Sequence, residues 1–495
     1  MKDPSYAPLL NNIPKKTKLY GIGSLITGGA LTQGFGALRL LIFAPLLGPA
    51  HFGALRLAMT ASLILSSLAG LGLHTCYLRY LPELKPEETP GFIRQTLAWS
   101  FLPCCFSALV ITLSVRGFSH LLFSSSEQTF LTILVAVSLP VTILYKSFYG
   151  MTSGSGRFRK AAIGDAMQNG VFFILGILAL FLISKTSEYV FMTYLAGMGI
   201  GVLWFYFKIV HPVLLKGSNA QPGGNAIFYR ALRFSIWYSL IPLFHYLFNF
   251  IDRWMLAHYY DLETTGTYSL VPLLAGGMFV TGGALSTITA RKAAELRSRN
   301  LVKASEKLVW GAVCLSVPAS LFYSFFIRLG EPLIWKIAGP KWQAALPLLP
   351  LFLVYFTFYN IFYQIGCFVS LEEKTWVHLI SAIAGTAVNA LINLALIKPY
   401  GIYGVATGTL IGMLVSIIVY LIFIYSRRIS VIPRVWTAML ISFSIFLPRG
   451  IFIATTLLIF LAVVKTNIFL NDSDRRMARA WIAGTIREWK GRKQT

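Results

Sequence analysis

The sequence predicts an all-α polytopic membrane protein, and three observations carry that prediction. Of its 495 residues, 56% are hydrophobic and only 12% are charged, whereas soluble chains carry about 25% charged residues. Apolar runs of about 20 residues recur along nearly the whole length, each enough to cross roughly 30 Å of hydrocarbon as a helix. The basic residues alternate in number from one connecting segment to the next. Such spans must be helical, because a backbone N–H or C=O in lipid finds partners only within its own segment.

In chain order the spans fall at about 19–47, 52–77, 92–115, 128–150, 161–183, 188–207, 232–258, 265–290, 306–327, 345–369, 375–397, 402–426, 432–447 and 450–466, which makes 14. The last two form one apolar run interrupted by Pro448, Arg449 and Gly450. The expected organisation is a tail at 1–18, a six-helix lobe at 19–215, a linker at 216–231, a second six-helix lobe at 232–430, two additional helices at 431–466 and a basic tail at 467–495.

Placing the N-terminus in the cytoplasm assigns 32 lysines and arginines to cytoplasmic segments and 7 to the opposite side. The cytoplasmic clusters include Arg79, Lys85 and Arg94; Arg157, Arg159 and Lys160; and Arg427, Arg428 and Arg434. The sparse opposite side holds Arg116, Lys185, Arg328, Lys336, Lys341, Lys398 and Arg449. Positively charged loops are retained in the cytoplasm, so both ends are expected there. The same rule accounts for the net charge of +25 without a nucleic-acid partner. The start of the chain lacks a small-residue cleavage site after a short apolar core, so no cleavable signal is expected. Five scattered cysteines (Cys76, Cys104, Cys105, Cys314, Cys367) have no zinc-site spacing. In the last segment Asn471 or Asp472 can cap a helix. There Trp481, Ile482, Ile486 and Trp489 alternate with basic residues, which predicts an interfacial helix on anionic membrane lipids.

The two halves share a repeat. YKSFYG at 145–150 matches YNIFYQ at 359–364, a displacement of 214, and Arg39 and Arg253 stand at the same displacement. Gly53 and Gly266 follow these arginines by 14 and 13 residues. Six spans return the chain to the same side, so the repeat is parallel, as in transporters whose lobes rock about a midplane site.

A charge at the centre of a membrane helix costs about 2.5–3.5 kcal/mol on insertion scales and normally faces a cavity or a partner. Six such charges fall within the predicted spans: Arg39, Arg56, Lys146, Asp165, Asp252 and Arg253. His245, Asn249 and Asp252 share one helical face with Arg253 on its flank, and Thr32, Gly36 and Arg39 repeat that spacing. Asp165, Gln168 and Asn169 cluster on one span, and Thr386, Asn389 and Asn393 form a stripe on another. These stripes predict a wet central cavity, with Arg39, Arg253, Lys146, Arg56, Asn249, Asn389 and Asn393 as substrate contacts and Asp252, Asp165 and His245 as ion-coupling candidates. Structural alternatives stay open: Asp252 as counter-ion to an arginine, Lys146 and Arg56 snorkelling from helix ends, Asp165 as a solvated end residue, His245 as a packing residue. Guanidinium groups fit phosphate geometry bidentately, so an excess of cations over carboxylates suits an anionic cargo such as a pyrophosphate.

LGPAHFGALRLAMTASLILSSLAGLGLHTCYLRYLPE at 47–83, FNFIDRWMLAHYYDLETTGTYSL at 248–270 and VNALINLALIKPYGIYGVATGTLIG at 388–412 resemble the polysaccharide transporter family. These are the Wzx-like oligosaccharide and O-antigen flippases of bacteria, within the multidrug/oligosaccharidyl-lipid/polysaccharide exporter superfamily. The resemblance spans about 15–465 and rests chiefly on Ile251-Asp252-Arg253, Gly266-Thr267-Tyr268-Ser269 and the run from Asn389 to Gly404. It implies a two-lobed, MATE-like bundle of 12 to 14 helices in the bacterial cytoplasmic membrane. Its implied cargo is a polyprenyl-pyrophosphate-linked oligosaccharide destined for O-antigen and lipopolysaccharide, capsule or exopolysaccharide. It implies coupling to H+, Na+ or membrane potential, no bound cofactor, and glycan polymerases and glycosyltransferases as partners. Arg39 and Arg253, with Asp252 alongside, match the family's cavity positions. No acidic residue adjoins Arg39, whose neighbours are Leu38 and Leu40, which departs from a mechanism with an acid–base pair in both lobes.

Two other classes compete. A multidrug or metabolite extruder of the same fold would use cavity carboxylates, of which the spans offer Asp165 and Asp252. An enzyme would need a nucleophile–base pair or a metal cluster; neither is evident, and the predicted outer loops are short, the longest near Arg328 to Leu346.

Overall fold

A computed structural model describes residues 15–85, 87–215, 225–429 and 433–465. The basic tail expected at 467–495, most of the tail at 1–18, and much of the linker at 216–231 lie outside the described residues. So does the Thr32 side chain. The described chain is helical throughout: α1 (Lys15–Ala69), α2 (Tyr77–Tyr80), α3 (Thr89–Leu113), α4 (Val115–Phe123), α5 (Thr129–Gly154), α6 (Phe158–Leu182), α7 (Ser187–Phe205), α8 (His211–Leu215), α9 (Asn225–Tyr259), α10 (Leu262–Gly276), α11 (Phe279–Ser298), α12 (Val302–Ala338), α13 (Leu349–Leu371), α14 (Thr375–Ser426), α15 (Pro433–Ser442) and α16 (Arg449–Lys465). Among the described residues, nine helical segments are long and apolar enough to cross a membrane. The chain is thus the polytopic membrane protein its composition predicts.

Two predicted boundaries lie inside continuous helical runs. α1 breaks at Gly48 (φ 71°, ψ 168°) and α14 at Gly401 (φ 54°, ψ −131°). Each is therefore two spans joined by a glycine in a conformation that a β-carbon penalises, with Pro49 and Pro399 beside the breaks.

Other expectations need correction. The span predicted at 265–290 is interrupted, α10 ending at Gly276 and α11 starting at Phe279. The span predicted at 52–77 stops at Ala69 and turns through Leu71 and Gly72, both at positive φ. Arg328 and Lys336, expected in an outer loop, lie within α12, which continues to Ala338. Helix propensity and burial override loop polarity there, because Arg328 Nη1 donates to Glu331 Oε2 at 3.0 Å and both side chains are buried. Glu331 is thus a buried acid that the predicted spans omitted. The predicted span 432–447 is a ten-residue helix followed by a 3-10 turn at Phe443–Phe446, shorter than the roughly 20 residues of a full crossing.

The chain divides into two compact units. The first comprises residues up to Leu274 with 335–346 and 390–405. In it α6 packs on α1 and α7, α5 packs on α3 and α7, and α9 packs on α1. Its core is rich in aromatics, including fully buried Tyr77, Phe92 and Phe205. The tightest approach joins α1 to α10. A β-carbon on Gly266 would fall on the Pro49 carbonyl, and one on Gly53 would fall on the Leu262 carbonyl. These are the two glycines that follow the repeat arginines, so positions one residue out of register in the two repeats meet backbone to backbone, the close packing that small residues permit in membranes.

The second unit comprises 275–334, 347–389 and 406 onward. There α11 packs on α13. Asn360 Nδ2 donates to Ser320 Oγ at 3.0 Å, and Gln364 Nε2 donates to the Gly282 carbonyl at 3.0 Å. The two limbs of α14 clasp reciprocally: Ser381 Oγ donates to the Ser416 carbonyl at 2.9 Å, and Ser416 Oγ to the Ser381 carbonyl at 3.1 Å.

Adding a methyl at the glycine crossing forces the backbones apart. Gly266→Ala is expected to destabilise the fold by about 1–3 kcal/mol, the range for overpacking, and a similar loss is expected for Gly53→Ala. Thermal unfolding in detergent, compared with Gly199→Ala where nothing stands within 4 Å of a new β-carbon, checks this.

Candidate functional site

Four elements of the first unit wall a cavity of about 510 Å³. The segment after α1 contributes His74, Thr75, Leu78 and Arg79. α5 contributes Tyr145, Lys146, Tyr149 and Gly150, α6 contributes Asp165, and α9 contributes Phe234, Tyr238 and Tyr246. The i, i+4 spacing of Tyr145 and Tyr149 sets both rings on one face of α5.

Lys146 is turned into the protein. Its Nζ donates to the Leu63 carbonyl at 3.2 Å and to Ser67 Oγ at 2.8 Å, and it stands 5.3 Å from the centroid of the Tyr246 ring. That contradicts snorkelling: two oxygens and a π face replace water around the ammonium. Asp165 accepts a 2.8 Å bond from the Tyr145 hydroxyl, which fixes the ring at the cavity wall. Arg79 lies over Phe234 at 4.9 Å and Tyr80 at 5.7 Å, while Phe234 and Tyr238 stack at 5.1 Å. Among the charged residues lining the cavity there are two cations, Arg79 and Lys146, to one carboxylate, Asp165.

Arg39, on α1, does not line this cavity but is linked to Asp165 through Asn169. Its Nη2 donates to Asn169 Oδ1 at 2.9 Å, its guanidinium lies 4.5 Å from the Phe172 centroid, and Asn169 Nδ2 donates to the Asp165 carbonyl at 3.0 Å. Arg56 is half-buried, with its Nε unpartnered.

The α9 stripe is arranged differently from the expectation. His245 Nδ1 bonds the Ile241 carbonyl at 3.2 Å, and Asn249 Nδ2 donates to the His245 carbonyl at 3.0 Å. Tyr246, not His245 or Asn249, lines the cavity. Asp252 and Arg253 are buried, 2% and 5% exposed, and do not line it. Tyr268 donates to Asp252 Oδ2 at 2.7 Å and Asn393 Nδ2 donates to Oδ1 at 2.8 Å. Arg253 donates to Ser269 Oγ at 3.2 Å and to the Asn249 carbonyl at 3.0 Å. These contacts form a dry polar knot that joins α9, α10 and α14. The Thr386–Asn389–Asn393 stripe is buried throughout; Thr386 Oγ1 donates to the Ala382 carbonyl, and Asn389 falls in the second unit while Asn393 falls in the first. Among the described residues no cluster of three or more His, Cys, Asp or Glu could hold a metal.

The sequence reading missed the aromatic half of the site. Tyr145 and Tyr149 lay in the very segment that revealed the repeat, which preserves the Y-x-x-x-Y spacing at Tyr359 and Tyr363. Phe234, Tyr238 and Tyr246 carried no signal beyond being aromatic in an apolar run.

Comparison with known proteins agrees with this architecture. A family profile described as polysaccharide biosynthesis protein matches residues 19–276, slightly more than half the chain. The chain belongs to the polysaccharide biosynthesis protein family. This family member is similar in fold to lipid II flippase MurJ in an inward closed conformation, with 14% identity and a TM-score of 0.69 over 90% of this chain and 98% of that one. It is similar also to a MATE transporter in complex with MaL6, with 16% identity and a TM-score of 0.61 over 87% and 98%. A third similar structure is a MOP superfamily transporter from Pyrococcus furiosus, with 15% identity and a TM-score of 0.59 over 85% and 97%. No curated protein sequence matches the chain. The fold of this polysaccharide biosynthesis protein is therefore that of the exporter superfamily which its motifs resemble.

The Asp252 knot is testable by stability. Tyr268→Phe removes one donor to a buried carboxylate and is expected to cost about 1.5–3 kcal/mol, the range for hydrogen bonds to charged groups. Thermal unfolding of the purified variant measures it, and Tyr238→Phe, at the cavity, serves as the comparison with little expected loss.

Proposed function

We propose that this protein is a flippase that moves a polyprenyl-pyrophosphate-linked oligosaccharide from the cytoplasmic to the outer leaflet of the bacterial cytoplasmic membrane. The observation that carries this reading is Lys146, an ammonium held inside an aromatic-walled cavity of a polysaccharide biosynthesis family member. A buried cation is costly unless it faces a partner, and its protein partners here are neutral oxygens and a ring. A phosphate supplies the missing negative charge. Tyrosine rings present flat apolar faces beside polar hydroxyls, a combination that suits sugar rings, whose faces are apolar and edges polar.

In this reading Lys146 and Arg79 receive the pyrophosphate, Tyr145, Tyr149, Tyr238 and Tyr246 contact the glycan, and Arg39 supports the wall through Asn169. Arg56, Arg253, Asn249, Asn389 and Asn393 are second candidates for cargo contact as the cavity rearranges. Asp165, Asp252 and His245 are candidates for coupling to H+, Na+ or membrane potential. The lobes at 19–215 and 232–430 alternate access, with both termini cytoplasmic. The glycan is handed between glycosyltransferases and a polymerase as an O-antigen, capsule or exopolysaccharide unit.

A drug or metabolite extruder of the same fold is the rival, and the cationic excess of the cavity disfavours it for cationic substrates. Lys146→Gln is expected to reduce complementation of a glycan-export defect at least tenfold with unchanged protein level, and Lys146→Arg to retain more activity than Lys146→Gln. Surface-glycan immunoblotting measures both. Full export by Lys146→Gln, or drug resistance conferred without any effect on surface glycans, overturns the reading.

A further inference from the structure

Of the ionisable side chains that line the cavity among the described residues, His74 alone has no role in the flippase reading. It stands in the short turn Leu73–Thr75, between the spans that end at Ala69 and begin at Thr89. Two helices clamp this turn. Gly72, at φ +63°, lies so close to α9 that a β-carbon there would fall on Ser239, and a β-carbon on Gly150 of α5 would stand 2.7 Å from the His74 carbonyl oxygen. Leu73, Cys76 and Tyr77 are fully buried around it, and Thr75 Oγ1 donates to the Gly72 carbonyl at 2.8 Å. The backbone therefore fixes the half-buried imidazole at the wall. Of its two ring nitrogens, Nδ1 is buried without a hydrogen-bond partner, so Nε2 is the nitrogen that a molecule in the cavity can reach. A buried N–H without an acceptor is costlier than a buried lone pair, so the ring carries its proton on Nε2. Burial, and after it the positive charge of Lys146, pushes the imidazole down to about 3, which leaves it neutral at neutral pH.

We propose that His74 donates its Nε2–H to a phosphate oxygen of the cargo's diphosphate, beside the oxygen held by Lys146, as a fixed neutral donor rather than a third cation. This deepens the flippase reading above and rests on it. Lys146 precedes Gly150 by one turn on the same face of α5, and Gly150 packs on the His74 backbone. The ammonium and the imidazole are therefore neighbours on one wall, within reach of a single diphosphate. The other titratable groups on the walls are Arg79, Tyr145 and Tyr149, Asp165, and Tyr238 and Tyr246. Asp165, the carboxylate among them, accepts from the Tyr145 hydroxyl. An ammonium is a point charge with rotatable donors, so Lys146 attracts an anion of any shape. A backbone-fixed imidazole N–H rewards only an acceptor placed in its line. His74 thus reads the position of the diphosphate, while the cations read its charge.

The test uses the full-length protein in nanodiscs and equilibrium binding of a probe, farnesyl diphosphoryl N-acetylglucosamine. A glutamine amide places an N–H where Nε2 stands in histidine, and an asparagine amide places one where Nδ1 stands. His74→Gln is expected to bind the probe within about twofold of the native chain, and His74→Asn and His74→Leu about tenfold or more weakly, the loss of one hydrogen bond to a charged acceptor. Thermal unfolding is expected to be alike for His74→Gln and His74→Asn, which separates this pattern from a loss of fold. In protein carrying 15N-labelled histidine, the His74 signals are identified by their absence from His74→Gln. They are expected to show the Nε2–H tautomer before and after loading, with the Nε2 signal displaced by the probe. Equal weakening in His74→Gln and His74→Asn, or an imidazolium spectrum on loading, overturns the inference. The two readings fail separately. Probe binding that is lost in Lys146→Gln but unchanged in all three His74 variants sinks the His74 assignment alone. Probe binding that follows the His74 pattern but is unchanged in Lys146→Gln sinks the Lys146 role on which the flippase reading rests, and leaves the His74 donor standing.

Discussion

An ionised side chain within the hydrocarbon thickness must be met by dipoles, a counter-charge or water, because lipid supplies none of them. That constraint organises the first unit. Asp252 and Arg253 meet it in the closed manner, buried among polar groups that include a tyrosine hydroxyl and an asparagine amide for the one, and a serine hydroxyl and a backbone carbonyl for the other. Such a knot holds three segments in register and leaves no wetted surface. Lys146 and Asp165 meet the constraint in the open manner, half satisfied by protein and half turned to a cavity. The first arrangement is suited to holding structure and the second to meeting a solute.

The internal repeat gives the same contrast a second form. Lys146 and Asn360 occupy equivalent positions of the two matched segments. Each donates to a backbone carbonyl and to a serine hydroxyl: Leu63 and Ser67 for Lys146, Met278 and Ser320 for Asn360. In the second unit that donor is a neutral amide that is 1% exposed, so the site is a packing joint. In the first it is a cation at a cavity wall. One scaffold position therefore serves structure in one half and, on our reading, cargo in the other, and the difference is one charge. The Gly53–Gly266 crossing lies one residue out of that register, and only residues without side chains let the two backbones touch there.

By itself the sequence determined what the solvent demands. Apolar runs of about 20 residues called for membrane-spanning helices, and the matched YKSFYG and YNIFYQ segments exposed the repeat. It also marked Arg39, Arg56, Lys146, Asp165, Asp252 and Arg253 as intramembrane charges but not the Arg328–Glu331 pair, which a loop-like composition concealed. Tertiary structure alone decided the fate of those charges. Periodicity places His245, Asn249 and Asp252 on one face of α9, but a face has no label saying whether a partner or a cavity lies opposite. Tyr268 from the next helix and Asn393 from far along the chain closed that face over Asp252, while α5 and α9 opened a space around Lys146 and lined it with aromatics. Charge can be read locally. Its compensation cannot, because many of the compensating atoms come from other helices, from Ser67 for Lys146 to Asn393 for Asp252.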